Sequence, residues 1–347
     1  MDTISNLLRP NILRLKAYST ARDEYQGSIG QFMDANENPY ENGINRYPDP
    51  YQKELKAKIS ELKKVSSEAI FIGNGSDEAI DILYRIFCRP GIDNVIGITP
   101  SYGMYKVAAD INDIEYREYK LDNNFDLDAE KLLSLANENT KMVFLCSPNN
   151  PSGNILNKKE VDILLNNFQG VLVIDEAYID FASSKSYTRL LEQYPHLVVL
   201  QTLSKAWGAA AIRLGLAFAD SQIIKYMTRV KYPYNINILS QKAAMDALSE
   251  SEKVEEMVRM IRHERESLRQ RLLSIPIIEH VYPSDANFLL IRCHNSKKLY
   301  NYLLKKEIIV RDRSTVPGCE SCLRISVGTP EENKKLIEAL LAYELLL

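Results

Sequence analysis

The middle of the chain alternates short apolar runs with stretches of helical periodicity. The apolar runs are rich in Val, Ile and Leu and lie at residues 95–98, 142–146, 171–174, 197–201 and 214–219. Strands buried on both faces of a parallel sheet are apolar at nearly every position, so we expect these runs to be strands. Segments such as 77–87 and 158–166 have the spacing of helices that cover a sheet. The order predicts an α/β fold with a mostly parallel central sheet.

The pattern changes after residue 232. A long charged helical stretch at 252–273 leads into apolar runs at 287–292, 308–310 and 323–327, and a last helix runs from Pro330 to about Leu346. This order is typical of a smaller α+β domain. We therefore expect an N-terminal arm over 1–30, a large domain over 31–235 and a small domain over 236–347. The arm is polar and contains Pro10, and we expect it to pack on the small domain or on a partner subunit.

Composition narrows the class of protein. The 347 residues include 43 Lys and Arg against 46 Asp and Glu, a net charge of −3, which argues against a nucleic-acid partner held by a basic face. No apolar run approaches the roughly 20 residues of a membrane span. The chain does not begin with the basic and apolar segments of a secretory signal. We expect a cytoplasmic protein without a membrane or nucleic-acid partner.

The cysteines and histidines do not predict a metal site. Five cysteines are widely scattered, and an odd count does not indicate a disulfide framework. Cys319 and Cys322 form one CxxC pair, but a zinc site needs about four ligands and no second pair follows. The four histidines are not in metal-ligand spacing.

Candidate ligand groups lie where the predicted strands end, because open α/β sheets bind ligands beyond the carboxyl ends of their strands. The run 73–78 (GNGSDE) follows the apolar residues 70–72 and precedes a helix. Its glycines and the free N–H groups of a helix start suit a phosphate. A turn with an ordinary helix cap explains the same run equally well.

Two further strand ends carry polar groups. After 142–146 comes the rigid turn 147–153 (SPNNPSG), in which Asn150, held by Pro151, offers an amide to a ligand oxygen or simply forms the turn. After 171–174 comes Asp175, a carboxylate that needs a cation or donors at the mouth of a buried strand. A helix cap or a structural salt bridge competes with a role opposite a cationic ring nitrogen.

Lys205 differs from the other lysines of the chain. It follows the run 197–201 and is surrounded by small residues and hydroxyls, with Arg213 further on. Burial and nearby cations lower the pKa of a lysine and free its amine to attack carbonyls. Pyridoxal phosphate needs such a lysine, a carboxylate for its ring nitrogen and a cradle for its phosphate. The three strand ends together predict this cofactor.

Over nearly its whole length, the chain resembles the fold-type I pyridoxal-phosphate aminotransferases of class II, and among them the branch that acts on histidinol phosphate. The motifs that carry the resemblance are NENPY at 36–40, RYP at 46–48, GNGSDE at 73–78, SPNNPSG at 147–153, DEAY at 175–178, TLSK at 202–205 and LRISVGT at 323–329.

The resemblance implies a role for each cofactor-site residue. Lys205 would hold the cofactor covalently and then shuttle a proton, and Asp175 would keep the ring nitrogen protonated. Tyr178 and Asn150 would hydrogen-bond the phenolate oxygen of the ring. The resemblance also implies that Tyr102 stacks on the ring and that Tyr47 comes from the partner subunit of a homodimer. The implied phosphate cradle consists of Gly75, Ser76, Asp77, Thr202, Ser204 and Arg213.

The substrate site follows from the same resemblance. Arg324 would bind the α-carboxylate of glutamate, since a planar guanidinium pairs with a carboxylate through two hydrogen bonds. Arg311 and Tyr18, with Asn150, would help to bind histidinol phosphate, although a surface ion pair is the alternative for Arg311. The implied reaction converts histidinol phosphate and 2-oxoglutarate to imidazole-acetol phosphate and glutamate, a step of histidine biosynthesis.

Other functions remain open at this point. Threonine-phosphate decarboxylases and aromatic amino-acid aminotransferases belong to the same family and share the cofactor motifs. A non-enzymatic regulator would need an added DNA-binding module, for which the chain has no room before the arm. A nucleotide-binding protein is disfavoured, because there is no GxxxxGK[ST] run and Glu78 stands where a dinucleotide fingerprint needs its third glycine.

Overall fold

The computed structural model describes residues 3–17 and 30–345. Its larger sheet has seven strands in the order β1-β7-β6-β5-β4-β2-β3, and β7 alone runs antiparallel to its neighbours. The strands are β1 (Ile70–Asn74), β2 (Asn94–Thr99), β3 (Glu115–Lys120), β4 (Thr140–Cys146), β5 (Val171–Asp175), β6 (Leu197–Thr202) and β7 (Leu214–Ala219). The predicted α/β fold with a mostly parallel sheet is confirmed.

All five predicted strands are present, and the edge strand β3 was missed. Its six residues are all charged or aromatic, and each is exposed or half-buried. A strand at a sheet edge needs no continuous apolar run, so the pattern that identified the central strands does not detect it.

Helices cover both faces of this sheet. Alternate residues of one strand enter different cores, as Val143 and Leu145 pack in one cluster and Met142 and Phe144 in the other. The helices before the second sheet are α1 (Thr3–Leu7), α2 (Pro10–Leu13), α3 (Lys53–Lys63), α4 (Gly75–Phe87), α5 (Met104–Ile111), α6 (Ala129–Leu133), α7 (Lys158–Asn167), α8 (Ser221–Val230), α9 (Ile238–Ser249) and α10 (Ser251–Leu273).

The N-terminal segment packs against the large sheet's helical layer. Ile4, Leu8 and Ile12 are buried in the cluster that contains the apolar face of α4. The backbone N–H of Arg9 donates to the carbonyl of Ile86 at the end of α4, at 2.9 Å. Of the two expectations for the arm, packing on the small domain is not what residues 3–13 show, and packing on a partner subunit stays a prediction.

The second sheet is antiparallel, with strand order β10-β11-β9-β8. Its elements are β8 (Ile278–Val281), β9 (Phe288–Cys293), α11 (Ser296–Lys305), β10 (Arg311–Asp312), β11 (Cys322–Ser326) and α12 (Pro330–Glu344). The apolar run at 308–310 is not itself a strand, because pairing begins only at Arg311. We retain the domain boundaries at 31–235 and 236–347 as a proposal.

The two faces of the small sheet have different neighbours. Leu289, Ile291 and Leu323 pack in a cluster with residues of α10, α11 and α12. On the other face, Leu290 and Cys322 belong to the core of the large sheet. The small sheet therefore presents one face to the region where the strands of the large sheet end.

Residues 3–17 and 30–345 contain neither a membrane-spanning helix nor a metal-binding group of side chains. No helix there is long and apolar enough to cross a membrane. No group of His, Cys, Asp and Glu side chains there is arranged to hold a metal ion. Cys319 and Cys322 are free and buried, and burial is the main cause that raises the pKa of each thiol, to about 12 for Cys319.

Candidate active site

The carboxyl ends of β4, β5 and β6 and the start of α4 enclose a cavity with about 520 Å³ of empty volume. Every cofactor residue implied by the resemblance lines it except Tyr47. The lining residues are Gly75, Ser76, Asp77, Tyr102, Cys146, Asn150, Asp175, Ala177, Tyr178, Thr202, Ser204, Lys205 and Arg213. Cys146 and Ala177 were not predicted.

Asp175 is a buried carboxylate at the end of β5, with only 3% of its surface exposed. It accepts hydrogen bonds from the Tyr105 hydroxyl at 2.7 Å and from the Ala177 backbone N–H at 3.0 Å. Burial raises the pKa of Asp175, and these donors and the charge of Lys205 only partly oppose that effect. Among the described residues Asp175 forms no ion pair. A protonated ring nitrogen would supply the missing cation, so this carboxylate fits pyridoxal phosphate.

Lys205 lies across the cavity in the turn after β6. Its Nζ is 5.8 Å from the centre of the Tyr178 ring. Burial lowers the pKa of Lys205 although solvent reaches part of the side chain, and the charges of Arg324 and Arg213 lower it further. The expectation that burial and nearby cations depress this pKa is confirmed in direction.

The start of α4 has the local geometry expected of the predicted phosphate cradle. Gly75 has φ +73°, and its backbone N–H donates to the carbonyl of Arg213 at 2.7 Å. Gly215 on β7 lies so close that a Cβ there would be 2.0 Å from the backbone N of Ser76. The first N–H groups of a helix have no partner within the helix, so those of Ser76 and Asp77 are suited to bind an anion.

Two hydroxyls and a guanidinium complete the cradle. The Thr202 hydroxyl donates to the Ser204 hydroxyl at 3.0 Å and accepts from the Ser204 backbone N–H at 3.1 Å. Arg213 lies 3.7 Å from a carboxylate oxygen of Asp77. Side-chain donors from β6 and from the turn before β7 thus converge on the start of α4.

Tyr102 is held in place from two sides. Its hydroxyl donates to Asp77 at 3.0 Å, and its ring meets Tyr105 edge-on with 5.5 Å between ring centres. The loop that carries Tyr102 is also tied to the loop after β4, because the Asn149 amide donates to the Pro100 carbonyl and accepts from the Ser101 hydroxyl. This tyrosine is positioned before any ligand binds.

The small sheet contributes Arg324 to the mouth of the cavity. Arg324 on β11 donates to the side-chain oxygen of Asn150, which leaves the amide NH₂ of Asn150 as a donor. Arg311 on β10 stands opposite Arg324 in the strand register. Tyr18 lies outside the described residues.

Tyr47 is the one predicted cofactor residue that the cavity of its own chain does not contain. It stacks on Tyr234 with 4.3 Å between ring centres and is 49% exposed. With Ile44 and Leu239 it lines a separate surface groove.

Sequence reasoning missed the residues that support the site. Tyr105 lies inside α5 and looks like an ordinary core aromatic, so only the fold shows its bond to Asp175. Asn149 was quoted as part of a turn, and its buried amide gave no separate signal. Arg313 was treated as part of a charged run, although its spacing of two from Arg311 could have placed both on one face of a strand.

Comparisons with known proteins agree with this geometry. A family model described as aminotransferase class I and II matches residues 21–340. The histidinol-phosphate aminotransferase of Parabacteroides distasonis is 52% identical over 340 residues, which cover 98% of this chain and 99% of that protein.

Two solved structures were also compared. The crystal structure of histidinol-phosphate aminotransferase from Clostridium acetobutylicum has a TM-score of 0.81 at 28% identity and covers 88% of this chain and 92% of its own. The L-threonine-O-3-phosphate decarboxylase of Porphyromonas gingivalis has a TM-score of 0.74 at 25% identity, with coverage of 87% and 91%.

The extent of these matches decides between the alternatives left open by the sequence. The relative from P. distasonis shares twice the identity of the decarboxylase over nearly all of both chains. The cavity has a lysine, a cation-free carboxylate and a phosphate cradle in the arrangement that pyridoxal phosphate requires. The chain belongs to the class I and II aminotransferase family, in the group of the histidinol-phosphate aminotransferases.

Proposed function

We propose that this chain transfers the amino group of histidinol phosphate to 2-oxoglutarate, with pyridoxal phosphate as its cofactor. One observation carries the proposal. A single cavity contains a buried carboxylate without a cation, a lysine with a lowered pKa and an arginine at its mouth, namely Asp175, Lys205 and Arg324.

The cofactor, when bound, supplies an electron sink that stabilises negative charge at the α-carbon of the substrate. Lys205 would supply the amine that accepts the proton from that carbon and passes it to the C4′ carbon of the cofactor. The lowered pKa of Lys205 raises the fraction of free amine at neutral pH, and only the free amine can take a proton. Its exposed position in the cavity lets it reach the substrate.

Three side chains orient the cofactor ring. Asp175 favours a protonated ring nitrogen, because the buried carboxylate is stabilised by a cation beside it. Burial and nearby negative groups raise the pKa of Tyr178, which keeps its hydroxyl protonated as a donor to the phenolate oxygen of the ring. Asn150 offers its NH₂ to the same oxygen, since its carbonyl oxygen is occupied by Arg324.

The two substrates differ in the anion that they present. Glutamate carries an α-carboxylate, whereas histidinol phosphate has none and carries a phosphate. Arg324 and Arg311 are opposite each other on β11 and β10, so both guanidinium groups can meet either anion. We propose that these residues, with Tyr18 and Asn150, bind both substrates in turn.

A half-reaction tests the transferase. The holoenzyme is mixed with L-histidinol phosphate in the absence of a keto acid, and the absorbance of the lysine-bound cofactor is followed. We expect conversion to the amine form of the cofactor, reversed by 2-oxoglutarate with formation of glutamate. Persistence of the band with histidinol phosphate, together with its loss on addition of phenylalanine or tyrosine, would contradict the proposed substrate.

A separate assay, the release of CO₂, tests the alternative that the protein is a decarboxylase. Phosphothreonine is added to the holoenzyme, and CO₂ is measured. We expect no CO₂ above the level of a protein-free control. Release of CO₂ without any response to histidinol phosphate would replace the proposed reaction with a decarboxylation.

We propose that the active form is a homodimer in which Tyr47 reaches the cofactor phosphate of the partner subunit. In support, the surface groove around Tyr47 exposes Ile44 at 61% and Leu239 at 62%, and Tyr47 is remote from the cavity of its own chain. Apolar surface of this kind is typical of an interface. A cytoplasmic location agrees with five cysteines that are all free.

Mixed dimers test the contribution of Tyr47. Subunits that carry Lys205→Ala and subunits that carry Tyr47→Ala are denatured together and refolded as a mixture. A mixed dimer then contains one site with both Lys205 and Tyr47 intact, so activity should exceed that of either variant alone. If Tyr47 served its own subunit, every site would lack one of the two groups and mixing would restore nothing.

A further inference from the structure

Three arginines lie on one face of the small sheet. Arg311 and Arg324 are direct partners in the β10–β11 register. The backbone N–H of Arg313 donates to the carbonyl of Cys322 at 3.0 Å, so the pairing continues two residues beyond Arg311. Side chains two residues apart on a strand point to the same face. Arg313 therefore shares the face of Arg311 and Arg324, the face that meets the cavity.

In the part of the chain that the structure describes, no acidic side chain pairs with this arginine face, defined as Arg311, Arg313 and Arg324. Asp312 lies between two of these residues in sequence but projects to the opposite face. There it accepts hydrogen bonds from Ser314 and lies 3.4 Å from Lys297 of α11. Among the residues that the structure describes, none of the three arginines forms an ion pair.

Arg313 is more than a solvated surface charge. Its Nε is buried and has no hydrogen-bond partner within residues 3–17 and 30–345, and the same is true of the Nε of Arg324. Burial lowers the pKa of Arg313, and the charges of Arg324 and Arg311 lower it further. A half-buried guanidinium with an unused donor and two like charges beside it is costly unless an anion meets it.

We propose that Arg313 is a specificity-determining residue that binds the phosphate of the phosphorylated substrate. The inference rests on the proposed function and adds a third cation to the two arginines implied by the resemblance. A phosphate monoester carries close to two negative charges at neutral pH and three acceptor oxygens, whereas a carboxylate carries one charge and two oxygens. A third guanidinium therefore favours the phosphate over the carboxylate of glutamate, which two arginines already satisfy.

The experiment compares two anions in the two half-reactions of the holoenzyme. Loading the cofactor fills the phosphate cradle at α4, so added anions report on the arginine face. In Arg313→Gln we expect the Kd for histidinol phosphate to rise about ten- to a hundred-fold, the size of one lost hydrogen bond to a charged group. The Kd for glutamate should stay near that of the unmodified protein. Calorimetric titration with inorganic phosphate should show the same loss without any turnover.

Two variants control the comparison. Arg292→Gln removes another arginine of the same sheet face whose Nε is also buried without a partner, but Arg292 stacks on Tyr282 with 5.8 Å to the ring centre. It should leave both Kd values unchanged. Arg313→Lys keeps the charge but loses the planar fork, so its Kd for histidinol phosphate should lie between those of Arg313→Gln and the unmodified protein.

The outcomes separate this inference from the proposed function. Phosphate and histidinol phosphate binding that is unchanged in Arg313→Gln would overturn the role of Arg313. An equal loss for glutamate and histidinol phosphate would overturn its selectivity, and so would an equal effect of Arg292→Gln. If the unmodified holoenzyme fails to convert histidinol phosphate but binds inorganic phosphate through Arg313, the proposed function fails and the phosphate site stands.

Discussion

The cofactor cradle of the large sheet and the arginine face of the small sheet meet at one cavity, but their charges are arranged in different ways. In the cradle, Asp77 accepts from Tyr102 and faces Arg213, and Thr202 pairs with Ser204. On the arginine face, three cations stand side by side, and none of them pairs with a carboxylate of residues 3–17 or 30–345. Side chains of the cradle thus pair with one another, whereas the charges of the arginine face are not balanced.

We attribute the difference in charge arrangement to how long each ligand stays bound in its region. In the proposed reaction the cofactor stays in its site through many turnovers, so that site benefits from donors that are already oriented. The arginine face would instead bind and release two substrates with different anions in each cycle. Uncompensated positive charge attracts both of them, and release is easier because the guanidinium groups are not fixed by other partners. The following substitutions test whether the cradle serves a ligand that stays bound and the arginine face serves ligands that exchange.

The largest effect is expected for Lys205→Ala in the cradle. Lys205 is the only lysine among the described residues that line the cavity, so its loss would remove the proposed proton carrier and the proposed covalent link to the cofactor. Because positioned acid–base groups contribute up to about ten-thousand-fold, we expect turnover to fall by at least that factor. Steady-state transamination and the absorbance of the lysine-bound cofactor measure both losses.

A matched lysine outside the cavity controls for lost charge. Lys63 pairs with Asp180 at 3.2 Å and lies near Trp207, but it does not line the cavity. Lys63→Ala should keep the absorbance band and the turnover. Normal turnover in Lys205→Ala would disprove the assignment of Lys205.

Asp175→Asn should separate activity from stability. Without the carboxylate the ring nitrogen loses its counter-ion, and removal of one electrostatic contact of this kind typically costs about a hundred- to a thousand-fold in kcat. The cofactor-free chain should not be destabilised, because burial raises the pKa of Asp175 and makes its charge costly. Rate assays and thermal melting of the cofactor-free protein give the two readouts.

The pH dependence of that melting has a defined sign. Because the folded pKa of Asp175 is raised above the unfolded value of about 3.9, its favourable contribution is full below that pH. It is lost as pH rises through the folded pKa. The melting temperature of Asp175→Asn relative to the unmodified chain should therefore increase with pH in the cofactor-free state. A relative melting temperature that falls as pH rises would contradict an uncompensated carboxylate.

The adjacent carboxylate provides the control for this prediction. Glu176 is also buried, but it accepts from the Ser186 hydroxyl, the Tyr187 backbone N–H and the Gln201 amide on the far side of β5. Glu176→Gln places a donor against these donors, so it should lower the melting temperature and leave kcat unchanged. A lower kcat in Glu176→Gln would show that kcat depends on any carboxylate at this strand end and not on Asp175 in particular.

The cradle could be predicted from sequence because its residues stand at the ends of recognisable strands. Asp175 and Lys205 each follow a continuous apolar run, and strand order alone brings such ends together. Their partners could not be predicted in the same way. Tyr105 reaches Asp175 from the first turn of α5, and the sequence of a helix does not show which distant residue its side chain contacts.

The arginine face was harder to predict because its strand is short. β10 has two residues, too few for a period-two pattern to be visible, and the apolar run before it at 308–310 is not part of the strand. Arg311 was found by resemblance, and Arg313 was overlooked. Only the register between β10 and β11 shows that the two arginines face the same side.

The smallest of these effects is expected for Arg324→Gln, on the arginine face. Arg324 contacts Asn150 at the mouth of the cavity and is proposed to bind both substrates, so its loss should weaken the binding of glutamate and of histidinol phosphate alike. We expect kcat/KM to fall about a hundred-fold for each, the upper range for one lost charged hydrogen bond. This differs from Arg313→Gln, where only the phosphate should respond. The cofactor-free protein should melt at the same or a higher temperature, because one of three neighbouring like charges is gone. A lower melting temperature would show that Arg324 is a structural group held by Asn150, and the contrast between the two regions would fail.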